Sequence, residues 1–181
     1  MKILFTVGTT KFEKLIEQIE KIDFDNIIAN NPSLKSIEIT IQKGNGQNQP
    51  KLKPCETSNS KKIRIIETFD YTKNLPKYIN ENDVIVSHAG AGTILEVLEA
   101  EKKLIAVIND DLMDNHQTEL AKKMEELNHC FMSSVSELEG KLAKILDENC
   151  VFERYQAGVG LINFQEHLEY SLFGRCAKKR T

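Results

Sequence analysis

The stretch Asp83-Val-Ile-Val-Ser-His-Ala-Gly-Ala-Gly-Thr-Ile-Leu-Glu-Val-Leu-Glu-Ala100 decides the fold. Val84, Ile85 and Val86 form the β-branched run that a parallel strand covered on both faces requires, and Ser87-His88 ends it with polar groups. Gly90 and Gly92 then allow a sharp turn and a close approach of backbone to ligand, where a Cβ would intrude. From Thr93 onward the pattern is helical, with Ile94, Val97 and Leu98 on one face. The unpaired N–H groups at the start of such a helix, together with the positive end of its dipole, suit a phosphate. The same residues also meet purely structural needs. Glycine loops joining strand to helix are common in α/β folds. Thr93 and Glu96 fit the S/T-x-x-E capping box, in which both side chains satisfy backbone donors. His88 can equally be a hydrogen-bonded histidine at a strand end, so these residues alone leave the ligand open.

A second strand, loop and helix unit opens the chain. Ile3 to Val7 is an apolar strand, Gly8-Thr9-Thr10 a turn, and Phe12, Leu15, Ile16, Ile19 and Ile22 lie along one side of a helix. Loops at the carboxyl ends of parallel strands gather along one edge of a sheet, so the Gly8 backbone and the Thr9 and Thr10 hydroxyls either face the ligand of the Gly90 loop or simply connect strand to helix. After a break at Asn30-Asn31-Pro32-Ser33, Ile37, Ile39 and Ile41 alternate with Glu38, Thr40 and Gln42, the pattern of a strand less buried than the others. Residues 43–60, from Lys43-Gly-Asn-Gly46 through a polar run with Pro50 and Pro54, read as a mobile loop. Ile63 to Glu67 is a further strand, and Lys73 to Ile79 a short helix that Pro76 brings into question.

Beyond the central unit, Leu104 to Ile108 is a strand ending in the polar loop Asn109 to Gln117. Leu120, Met124 and Leu127 face a core from the next helix. Asp114 or Asn115 caps that helix, so His116 and Gln117 fall in its first turn, beside the same sheet edge or simply at the surface. Cys130 to Met132 is a last short strand and Val135 to Leu146 a helix. Alternating strands and helices over residues 1–150 imply an α/β fold, a doubly wound parallel sheet with ligand loops at the strand ends. Residues 151–181 are expected to form a C-terminal helix, with Leu161, Phe164, Leu168 and Leu172 at helical spacing, and a basic tail at Lys178-Lys179-Arg180.

Composition narrows the classes. The chain has 181 residues with 40% hydrophobic content, enough for one core and too short for two nucleotide-binding domains. A net charge of -3 and a pI near 5.9 argue against nucleic acid as a partner. No run of about 18 apolar residues, the length that spans a membrane, occurs, so no transmembrane segment is expected. Cys55, Cys130, Cys150 and Cys176 show no C-x-x-C pairing, which suggests neither a zinc site nor a disulfide framework and fits a reducing cytosol.

Three segments, Phe5-Thr-Val-Gly-Thr-Thr-Lys-Phe12, Val84-Ile-Val-Ser-His-Ala-Gly-Ala-Gly92 and Val107-Ile-Asn-Asp-Asp-Leu-Met-Asp-Asn-His-Gln117, together resemble the small catalytic subunits of the eukaryotic N-acetylglucosaminyltransferase that adds the second sugar to dolichol-linked GlcNAc. More distantly they resemble the C-terminal, donor-binding half of GT-B glycosyltransferases, including the bacterial enzyme that makes the lipid-linked peptidoglycan precursor. The resemblance covers roughly residues 1–128 and implies a single Rossmann-like donor half. It implies that His88, Gly90, Gly92 and Thr93 contact the donor diphosphate, that Glu96 binds the ribose hydroxyls, and that His116-Gln117, with Asn115 before them, hold the sugar. The sequence departs from the plant-type motif, which has Trp-Asn where Ala91-Gly92 stand, leaving backbone amides for those contacts.

The resemblance further implies UDP-GlcNAc as donor substrate, no separate cofactor, no required metal, and inversion at the anomeric carbon, with His88 as the catalytic residue. It also implies a heterodimer with a membrane-anchored, acceptor-binding subunit. That subunit would recruit a cytoplasmic chain to the cytosolic face of the endoplasmic reticulum, where the lipid-linked GlcNAc acceptor lies. The C-terminal apolar stripe is the expected docking element. The alternative from another class is a non-catalytic UDP-sugar-binding regulatory protein using the same loops.

Overall fold

A computed structural model describes residues 1–48, 50, 55–56, 62–109 and 115–156. In chain order these form β1 (Lys2–Thr6), α1 (Glu13–Lys21), α2 (Phe24–Ala29), β2 (Ser36–Gln42), β3 (Cys55–Glu56), β4 (Lys62–Phe69), α3 (Leu75–Glu81), β5 (Val84–His88), α4 (Ala91–Glu99), β6 (Lys103–Val107), α5 (Asn115–Glu126), β7 (Phe131–Ser133) and α6 (Leu138–Ile145). The sheet runs β3-β4-β2-β1-β5-β6-β7, and every pairing is parallel except β3 on β4. Without the antiparallel edge strand β3, the six parallel strands take the 3-2-1-4-5-6 order of a Rossmann fold. The chain reverses its direction of winding between β1 and β5, where Thr6 stands opposite Ser87.

Period-two alternation along the strands divides the core into two layers. Ile3, Phe5 and Val7 of the first unit join Ile37, Ile39, Ile41, Val84 and Val86 under Leu15, Ile16 and Ile19 of α1, Ile27 of α2 and Leu142 of α6. Leu4, Ile85, Leu104 and Ala106 face the other way, against Ile79 of α3, Ile94 and Val97 of α4, and Leu120 and Met124 of α5. The expected doubly wound architecture is therefore present.

Several local expectations need correction. Thr40 and Gln42, which alternate with isoleucines, are 7% and 2% exposed, because β2 lies inside the sheet between β1 and β4. Pro76 does not break α3; it sits in its first turn, where a missing N–H leaves no helical bond unmade. Residues 43–48, at the head of the expected mobile loop, are held in place. The Lys43 ammonium donates to the Gly46 carbonyl (3.0 Å) and pairs with Asp70 (2.7 Å), while Glu13 accepts from the Gln47 amide (2.7 Å). Cys55–Glu56 adds the unforeseen antiparallel strand, and the rest of the 43–60 stretch lies outside the described residues apart from residue 50.

Residues 151–156, expected to begin a helix, form a non-helical strap. Phe152 packs edge-on against Phe131 and Tyr155 edge-on against His129. The stripe from Leu161 to Leu172 and the basic tail lie outside the described residues. No helix among the described residues is long and apolar enough to cross a membrane.

Candidate functional site

The carboxyl ends of β1 and β5 meet at the point where the winding reverses, the position at which open α/β sheets bind ligands. His88 ends β5 and is 9% exposed. Its ring stands between two loops. A Cβ built on Gly8 would lie 2.6 Å from the ring's Cε1, and one built on Gly90 would lie 2.4 Å from Nε2. Only residues without side chains fit on both sides of this imidazole. Gly8 meets a second requirement, a φ of +61° that L side chains rarely adopt. Gly90 has an ordinary φ of -72°, so its glycine answers to the histidine rather than to a sharp turn.

The Nδ1 of His88 is buried and has no hydrogen-bond partner among the described residues. An orphaned polar atom of this kind costs about 1–3 kcal/mol, and native structures retain few of them. Burial holds the His88 pKa below its ordinary value, so the ring is neutral at pH 7. Beside it, α4 starts at Ala91, two residues earlier than the apolar spacing indicates, with Gly90 as N-cap and no side-chain cap. The capping box that the Thr93 and Glu96 spacing fits is not formed. Thr93 lies within the first turn and Glu96 further along, exposed on the same face. The first-turn N–H groups of α4 therefore have neither intrahelical partners nor a capping side chain. A Cβ on Gly92 would meet nothing within 4 Å, so the helix presents bare backbone there.

Of the other expected residues, Thr9 is exposed at the tip of the β1 loop. Thr10 folds back, donating both its hydroxyl (2.8 Å) and its amide (3.2 Å) to the Val7 carbonyl. That bond shapes the turn and leaves the hydroxyl oxygen's lone pairs available. Asn115, His116 and Gln117 form the start of α5, after the loop that leaves β6, and their side chains lie outside the described residues. The backbone thus brings the β1 loop, the β5 loop and α4 together, and sets the start of α5 after the neighbouring strand.

One buried residue at this edge escaped the sequence pattern. Gln42, the last residue of β2, accepts from the Thr6 hydroxyl (2.5 Å) and the Gly8 amide (2.9 Å), and donates to the carbonyls of Gly8 and Asp70 (2.7 Å each). A signal existed: Gln42-Lys43-Gly44 is a polar strand end running into glycine, as Ser87-His88 runs into Ala89-Gly90.

The glycosyltransferase family 28 C-terminal domain matches residues 2–165 of this chain. Several curated relatives are called UDP-N-acetylglucosamine transferase subunit ALG13. That of Candida albicans is 49% identical over 74 residues, 41% of this chain and 25% of the relative. That of Homo sapiens is 38% identical over 138 residues, 72% of this chain and 11% of the relative. The match spans 25% of the length of the Candida albicans relative and 11% of that of the human one. Among solved structures, the NMR solution structure of ALG13 superposes with a TM-score of 0.59 at 22% identity, covering 91% of this chain and 94% of that one. The crystal structure of MurG from Acinetobacter baumannii superposes with a TM-score of 0.54 at 19% identity, covering 78% of this chain and 38% of that one. At these identities the superpositions concern the fold.

Proposed function

The chain belongs to the glycosyltransferase family 28 C-terminal domain family, and on that premise we propose that it is the donor-binding, catalytic subunit of a UDP-GlcNAc transferase that passes GlcNAc to a lipid-linked GlcNAc acceptor. The observation that carries this reading is the His88 ring held between Gly8 and Gly90, with Nδ1 unpartnered, beside the uncapped start of α4. Breaking the anomeric C–O bond places negative charge on the departing UDP. First-turn N–H groups of α4 and a neutral imidazole N–H are fixed donors that stabilise that charge as it develops. In this scheme Gly8, Thr9 and Thr10 line the opposite side of the diphosphate, Gly90, Gly92 and Thr93 hold it from the α4 side, and Glu96 reaches the ribose. Asn115, His116 and Gln117 take the sugar. UDP-GlcNAc is the donor, with no cofactor and no metal needed.

The acceptor's attacking hydroxyl must lose a proton to a base on the acceptor side. That side is assigned to a membrane-anchored partner subunit at the cytosolic face of the endoplasmic reticulum. The relatives' name, which calls them subunits, supports a partnered chain. Transfer of labelled GlcNAc from UDP-GlcNAc to GlcNAc-diphosphodolichol by the reconstituted complex tests the proposal. His88→Ala is expected to lower turnover by about 10²- to 10³-fold. UDP binding with no transfer under any partnered condition would leave the non-catalytic alternative in its place, and absence of UDP binding would remove both.

A further inference from the structure

We propose that Gln42 is a positioning residue for the nucleotide site, its side-chain amide fixing the Gly8 loop and, through it, the His88 ring in the geometry that receives the diphosphate. This rests on the reading of the His88 slot as the UDP site. The amide uses its whole hydrogen-bonding capacity. Two donors reach the Oε1 atom, from Thr6 and Gly8, and both N–H groups of Nε2 are taken, by the Gly8 and Asp70 carbonyls. Two of these bonds engage the amide and the carbonyl of the same residue, Gly8, in the way a neighbouring strand would.

The β1 ladder ends at Thr6, so Gln42 extends the grip of β2 two residues beyond it. It does so at the residue whose bare Cα forms one wall of the His88 slot. Asp70 closes the arrangement from the far side, its carbonyl on Gln42 and its carboxylate on the buried Lys43 ammonium. A displacement of the Gly8 loop therefore opens or closes the space around the imidazole. None of the four side-chain hydrogen bonds of Gln42 goes to the ring, so it acts through Gly8.

Gln42→Glu keeps the shape and the acceptor oxygen but sets an anion against the two carbonyl oxygens that Nε2 now serves. Thr6→Val is milder: it removes one donor to Oε1 and the longer, shared contact of the Gly8 amide with the Thr6 hydroxyl (3.2 Å), and it leaves both bonds of the Gln42 amide to Gly8 in place. The full chain is titrated with UDP by calorimetry, and the His88 ring signals, assigned with His88→Gln, are followed by long-range ¹H–¹⁵N NMR. Gln42→Glu is expected to shift the His88 ring signals in the absence of UDP and to weaken UDP binding roughly ten- to a hundredfold. Thr6→Val should move both in the same direction by less.

A Gln42→Glu chain of reduced stability, with unmoved His88 signals and unchanged UDP affinity, would overturn the proposal and leave Gln42 as a strand-end fastener. Should that variant fail to fold, Thr6→Val is judged by the same criteria. If the unaltered chain does not bind UDP, the fault lies with the nucleotide reading, and displacement of the ring signals still decides whether Gln42 positions His88.

Discussion

The imidazole of His88 occupies the space in which Gly8 would carry a side chain, with only 2.6 Å between Cε1 and a Cβ built at that glycine. The two residues come from different β-α units, whose strands β1 and β5 are neighbours only because the sheet reverses its winding between them. A third residue, Gly90, completes the slot on the Nε2 side. The two glycines are not equivalent. Gly8 combines the contact with a positive φ, whereas Gly90 makes the contact with unstrained backbone.

Gly90→Ala therefore isolates the contact. The new methyl must push the ring aside, with an overpacking cost of about 1–3 kcal/mol. UDP affinity is expected to fall at least about tenfold, the size of losing one charge-assisted hydrogen bond. Combining it with His88→Ala should restore most of the stability and none of the affinity, because the clash is gone but so is the ring. Denaturant unfolding and calorimetry of the single and double variants measure the two effects separately. Full affinity in Gly90→Ala would show that the ring's placement is irrelevant to the ligand.

Gly92→Ala has the opposite signature. Nothing lies within 4 Å of the added methyl, and alanine is the better helix former, so stability should hold or rise by up to about 1 kcal/mol. If phosphate oxygens approach the bare first turn of α4, UDP affinity drops in a chain that is no less stable. Glu96→Ala, on the exposed face of the same helix, should weaken UDP binding through the ribose and leave unfolding unchanged. Unaltered affinity in both would place the ligand elsewhere than along α4.

The β5-α4 unit is legible in the sequence because its signals are local: a β-branched run, a glycine pair and a helical period within 18 residues. The capping box at Thr93 and Glu96 is a genuine pattern overridden by position, since α4 begins at Ala91 and puts Thr93 inside the first turn. The spacing gives Gln42 only as a polar position in a less buried strand, because alternation along β2 reports the two faces of a strand, not what covers each face. Its burial depends on β4 pairing on one side and β1 on the other, which no local spacing encodes. The short strand Cys55–Glu56 and the strap at residues 151–156 were missed for the same reason, as both are defined by what they lie against.

The titration of His88 should register in folding stability. Burial lowers its pKa in the folded chain below the ordinary 6.5. Between those two values the unfolded chain binds more protons than the folded one, so stability rises with pH there. The contribution of the neutral buried ring is thus complete above about pH 6.5, is lost as pH falls through the folded pKa, and levels off below it. Unfolding free energies measured across this window should show that slope in the unaltered chain, and His88→Gln should remove this component. An identical slope in the variant would assign the effect to other groups.

The strap that follows α6 sets where the folded body can be cut. Cys150 and Phe152 pack against one core layer and Tyr155 against the other, so the segment crosses the sheet edge at β7. Along the way the Glu153 amide donates to the Asn128 carbonyl (2.8 Å) and Arg154 pairs with Glu101. Two half-buried aromatic rings in edge contacts contribute on the order of 2–3 kcal/mol, equivalent to roughly 4–12 °C in Tm for a chain of this size. Removing residues 151–181 is expected to lower Tm by that amount. Removing only residues 158–181 keeps the contacts of Phe152, Glu153, Arg154 and Tyr155 described above, so it should lower Tm by less and leave UDP affinity in place while abolishing capture by the membrane-anchored partner, if the stripe of Leu161, Phe164, Leu168 and Leu172 is the docking element. Undiminished capture by the shorter deletion would move the docking site onto the Rossmann-like body, and an equal Tm loss in both deletions would mean that the strap alone does not hold the sheet edge.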